Sequence, residues 1–96
     1  MDRIMKVTDY KSLKELAQIY QNTRDCLECE YKNVHIHVYE QEDSLDEFGD
    51  KTYVVHAHDI NNMNIKDGGE IDAHNIETAV NLFIKDLKYT FKDVFN

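Results

Sequence analysis

The chain has 96 residues, 42% hydrophobic and 10% aromatic, which suits one packed domain with one modest core and excludes a two-domain arrangement or a disordered acidic tail. Nineteen Asp and Glu against eleven Lys and Arg give a formal net charge of −8, a field that repels nucleic acid and anionic membrane and favours basic surfaces. No apolar run is long enough to span a membrane, MDRIMKVTDY lacks the apolar core of a signal peptide, and two cysteines make no disulfide framework; a cytoplasmic, reducing location is expected.

In chain order, residues 8–30 carry a helical stripe of Leu13, Leu16, Ala17, Tyr20, Arg24 and Leu27, which predicts a first helix. Thr8, Asp9 and Ser12 are candidate N-caps, Ser12 forming a capping box with Glu15. The period then changes to two. Val34, Ile36 and Val38 alternate with His35, His37 and Tyr39, and Tyr53, Val55 and Ala57 alternate with Val54, His56 and His58, predicting strands over 33–40 and 52–60. An antiparallel hairpin pairing Glu40 with Lys51 places both apolar rows on one face and leaves a ten-residue acidic connection, longer than hairpin turns need. Asn61-Asn62 and Gly68-Gly69 bracket a candidate third strand over 63–66. A second helix is expected from about Asn75, with Ile76, Ala79, Val80, Phe83, Leu87 and Phe91 on one stripe and Val94 continuing it.

The expected architecture is therefore α+β: a two-layer sandwich of order α-β-β-(β)-α, with both helices on one face of an antiparallel sheet. That order matches the double-stranded-RNA-binding fold. The module needs basic residues where its last helix opens, however, and here the sequence reads EIDAHNIET, so its function does not follow.

Alternation puts His35, His37, His56 and His58 on one solvent face, a set with enough nitrogens for zinc or nickel beside Tyr39 or Asp59. Neighbouring side chains on a flat sheet run parallel rather than converging, so an exposed histidine face, titrating near neutrality, is favoured over a metal site. Cys26 and Cys29 form a lone C-x-x-C near the expected end of helix one, the wrong helix end for a redox thiolate. A mixed site of two Cys and two His is the remaining metal option. Ser12 and Ser44 lack a nucleophile turn, Gly68-Gly69 is followed by Glu70 and Asp72 rather than a phosphate cradle, and the acidic connection lacks calcium-loop spacing. No enzyme activity and no cofactor are expected.

The connection itself combines carboxylates Glu40, Glu42, Asp43, Asp46, Glu47 and Asp50 with apolar Leu45 and Phe48. Charges that steer association beside apolar anchors suit a protein interface with a basic nucleic-acid-binding partner. Asp67, Glu70, Asp72 and Glu77 would extend the same surface if the fold brings them near. An exposed strand edge and the histidine-rich face also suit a homodimer.

In size, acidity and lack of catalytic residues the chain resembles the small phage-encoded inhibitors, anti-CRISPR proteins among them. Residues 34–87 also resemble the strand-then-helix core of HicB-like antitoxins, through Tyr53, Val54, Val55, Asp59, Ile60, Asn75, Ile76, Glu77, Ala79 and Val80, with His58 where that family has proline. Both resemblances imply a non-enzymatic acidic protein that neutralises a basic partner, such as a CRISPR effector nuclease, by mimicking nucleic acid.

Overall fold

The computed structural model describes residues 6–20, 26–41 and 48–95. The element order is α1 (Tyr10–Leu16), β1 (Gln18–Tyr20), β2 (Cys26–Tyr31), β3 (Val34–Glu40), β4 (Lys51–Asp59), β5 (Lys66–Ala73), α2 (Ile76–Thr90) and α3 (Lys92–Phe95). The five strands form one antiparallel sheet in sequence order, and with the helices they make an α+β fold. Two strands more than the double-stranded-RNA-binding order separate the first helix from the last.

The extra strands come from the segment expected to be helical. α1 starts at Asp9, whose carboxylate accepts the backbone N–H of Ser12 at 2.8 Å, so Asp9 rather than the Ser12–Glu15 box is the cap. The helix stops at Leu16, and Ala17 is already extended. Downstream, Leu27 belongs to a period-two set, because Leu27, Cys29 and Tyr31 are buried while Cys26, Glu28 and Glu30 are not. Leu27 satisfies either period, and six residue pairs with β3 decide for strand.

β3 and β4 form the expected hairpin in a different register. Glu40 pairs with Tyr53, Val38 with Val55 and Ile36 with Ala57, a shift of two residues from the Glu40–Lys51 pairing. Because side chains alternate with period two, that shift leaves every residue on its expected face. Lys51 still reaches Glu40 by an ion pair of 3.7 Å.

The third strand also lies later than expected. Residues 63–65 form a turn and β5 runs from Lys66 through both glycines to Ala73. Asp59 organises the turn, its carboxylate accepting the N–H groups of Asn61 (2.8 Å) and Asn62 (3.1 Å).

α2 begins where its sequence indicates: Asn75 is the N-cap, accepting from Thr78 N–H at 2.8 Å. Ile76, Ala79, Val80, Phe83, Ile84 and Leu87 are buried, each large side chain contributing roughly 1.5–3 kcal/mol over exposure. They join Leu27, Cys29, Tyr31, Val34, Ile36, Val38, Tyr53, Val55 and Ala57 of the sheet, and Leu13 of α1, in one buried cluster. Phe91 ends α2, and the short α3 returns Phe95 to the core, where its ring lies 5.6 Å from that of Tyr31.

Candidate interaction surface

Pairing across the sheet determines what its outer face displays. One row runs Gln18, Glu30, His35, His58, Lys66, and the next Tyr20, Glu28, His37, His56, Gly68. A third row runs Cys26, Tyr39, Val54, Glu70, and a fourth begins with Thr52 and Asp72. None of these residues belongs to the buried core. β3 and β4 thus present a floor of imidazole and phenol rings, flanked by Glu28 and Glu30 on β2; on β5 the histidine rows end at Lys66 and Gly68, and the carboxylates Glu70 and Asp72 lie in the next two rows.

The four expected histidines do meet. The His35 and His58 ring centres lie 5.1 Å apart, His56 and His58 5.3 Å, and His37 lies 4.9 Å from Tyr39. Glu28 accepts from His35 Nε2 at 3.2 Å, which leaves Nδ1 as the unprotonated nitrogen of a neutral ring. Burial, then the neighbouring His58, His35 and His37 and the Lys66 ammonium, holds His56 below the usual imidazole range. Among the described residues, no group of three His, Cys, Asp or Glu side chains is placed to hold a metal ion.

The C-x-x-C pair does not form a site. Both cysteines lie on β2, not at a helix end, and their spacing of three puts them on opposite faces: Cys29 pairs with Ile36 in the core and Cys26 pairs with Tyr39 outside. A joint redox or Cys-His metal site would need both thiols on one side. Burial, with Glu28 adding a smaller effect, raises the Cys29 thiol to about 12.

At the β3–β4 end of the sheet, Glu40 and Asp50 flank the acidic connection. Asp50 contacts His74 Nδ1 at 2.8 Å, and Phe48 is 77% exposed. Glu42, Asp43, Leu45, Asp46 and Glu47 lie outside the described residues. Asp72 joins this end, pairing with Thr52 and accepting its hydroxyl at 2.8 Å, and Glu70 follows opposite Val54. Glu77 lies in the first turn of α2, four residues beyond Ala73, the partner of Lys51. Asp67 does not join. It pairs with Ala57 and accepts from Thr90 Oγ1 at 3.0 Å, toward the far end of α2, where Lys85, Lys88, Tyr89 and Lys92 line an open groove of about 490 Å³.

Glu28 and Glu30 are surface carboxylates that the helical reading of residues 8–30 conceals. The alternation in CLECEY is the signal that exposes them. His74, the contact of Asp50, has no sequence signal at all.

No protein-family model, curated protein or solved structure gives a significant match to this chain. In the segment resembling HicB-like antitoxins, β5 intervenes between the β4 strand and the α2 helix.

Proposed function

We propose that the chain is a non-enzymatic inhibitor that binds a basic nucleic-acid-handling protein, such as a CRISPR effector nuclease, and competes with its nucleic acid through an acidic surface. The observation that supports this most is that Glu40, Asp50, Glu70 and Asp72, from two strands and one connection, share the end of the sheet that carries a segment whose sequence adds Glu42, Asp43, Asp46 and Glu47. Carboxylates held on a sheet end present charge as a phosphate backbone does, and exposed Phe48 supplies an apolar anchor beside them. Sequence order alone brings only the connection's own charges together; the β4–β5 pairing adds the rest.

The test is capture of partners by the immobilised chain at about 0.05 and about 0.5 M salt, followed by competition with the captured protein's own nucleic acid. A nucleic-acid-binding protein retained at low salt and released at high salt or by nucleic acid is the expected result. Replacing Asp43, Asp46 and Glu47 by their amides should weaken capture about tenfold or more. Affinity that ignores both salt and those substitutions would sink the proposal.

A further inference from the structure

The outer sheet face supplies a second contact. Within its rows, Glu28, Glu30, Glu70 and Asp72 stand against one cation, Lys66, so the face carries a formal charge of −3 when its imidazoles are neutral. With strands about 4.8 Å apart, β2 and β5 are separated by about 14 Å; the histidine rows end in Glu28 and Glu30 on β2 and in Gly68 and Lys66 on β5, and Glu70 and Asp72 lie one and two rows further along, beside Val54 and Thr52. Gly68, opposite His56, has no side chain to close the β5 flank. A guanidinium stacks on neutral aromatic rings while its N–H groups reach carboxylates at the side, a combination that suits arginine better than lysine.

On these grounds, and resting on the proposed function, we infer that the outer face of β2–β5 is the docking surface for an extended arginine-rich segment of the basic partner, bound when the imidazole floor is neutral and released when it is protonated. The charges decide the direction. Each imidazolium adds one positive charge to a face of −3: three bring it to zero, and His56, held below the usual imidazole range, adds the fourth only at lower pH, so attraction for a cationic segment is lost at the same place. The groups facing the histidines are accounted for on every neighbouring strand. Glu28 and Glu30 on β2 face His37 and His35, Glu28 also meeting His35 Nε2 at 3.2 Å, Tyr39 lies beside His37 on β3, and Lys66 on β5 faces His58. The two glutamates favour protonation, while Lys66 and the imidazoles' repulsion of one another oppose it; every proton taken up still weakens the attraction for a cationic segment.

The probe is a fluorescent deca-arginine peptide, its binding to the full chain followed by anisotropy at about pH 7.5 and about pH 5.5. Binding should weaken about tenfold or more at the lower pH. Replacing all four strand histidines by Gln should remove most of that dependence, while Glu28→Gln with Glu30→Gln should weaken binding at the higher pH. Amide shifts of the unmodified chain on peptide addition should fall on β2, β3 and β4. Peptide that binds equally at both pH values, or shifts confined to residues 48–52 and 70–74, would overturn this docking surface and leave the acidic-end reading standing. No binding at either pH would overturn both.

Discussion

At the scale of single residues, the two cysteines show how strand parity decides chemistry. Cys29 is fully buried beside Ile36 and its thiol is raised to about 12, whereas Cys26 is half-buried on the outer face. A thiol held protonated in the core is a poor nucleophile, because reaction needs the thiolate. Iodoacetamide at neutral pH should therefore add one carbamidomethyl group to the native chain, at Cys26, and two in denaturant, with mass spectrometry distinguishing the cases. Two adducts on the native protein would mean that β2 opens. The same burial has a thermodynamic sign. The unfolded thiol ionises near 9 and the folded one near 12, so the folded state retains protons that the unfolded state loses, and stability falls as pH rises above about 9. His56 acts on the opposite side. Its lowered value means the unfolded chain takes up protons first, so this residue's contribution is complete above about pH 6.5 and declines as pH falls below that. Urea melts across pH should show both edges, and Cys29→Ala should remove the alkaline one.

At the scale of elements, the β2–β3 connection is a two-residue hairpin turn in which Lys32 and Asn33 both have positive φ, 45° and 67°. That is the geometry Asn-Gly adopts most readily. Lys in the left-handed region costs roughly 1–2 kcal/mol, and Asn less. The wild-type lysine is partly compensated by its ammonium 5.4 Å from the Tyr31 ring, a contact worth about 0.5–1 kcal/mol at an exposed site. Relief of strain exceeds that loss, so Lys32→Asn combined with Asn33→Gly should stabilise the chain by about 1 kcal/mol in chemical denaturation. A destabilised double variant would show that the Tyr31 contact dominates. This turn also explains what the sequence conceals. Lys-Asn is a weak turn signal, so residues 26–31 lacked a visible hairpin partner and their Leu27 fitted a helical stripe. The β3 and β4 faces and α2 were legible, because their alternation and their 3.6-residue stripe are unbroken and Asn75 marks a start. The β3–β4 register was not, since a shift of two preserves every face and only the backbone pairing distinguishes the two. β5 was obscured by Gly68 and Gly69, which read as a turn yet lie inside a strand. Of the candidate site, the histidine cluster was readable from alternation; the carboxylates flanking it required the β2 pairing, and those in the next rows the β5 pairing.

At the scale of the whole molecule, part of the negative charge gathers at one end of the sheet. Glu40, Asp50, Glu70 and Asp72 share one end with the acidic connection, while the groove lined by Lys85, Lys88 and Lys92 lies toward the other end of α2. Such an arrangement favours a basic partner and destabilises the isolated fold, because carboxylates held near one another in the native state separate on unfolding. Local pairing offsets part of this: Asp50 meets His74 at 2.8 Å, and Lys51 reaches Glu40 at 3.7 Å with both side chains partly exposed, where such pairs are worth about 0–1 kcal/mol. Salt should therefore act in opposite directions on folding and on binding. Raising NaCl from about 0.02 to about 0.5 M shortens the screening length from about 20 Å to about 4 Å. The free chain should gain about 1 kcal/mol, or about 4–8 °C in Tm for a domain of this size, while its affinity for a basic partner falls. NaCl is preferred to sulfate for this measurement, since sulfate strengthens apolar burial in any protein and would raise Tm without reporting on charge. Thermal melts followed by circular dichroism provide the reading. A Tm that falls as NaCl rises would mean that attractive pairs outweigh the clustered carboxylates, removing the physical reason for expecting a cationic partner to be bound at the acidic end.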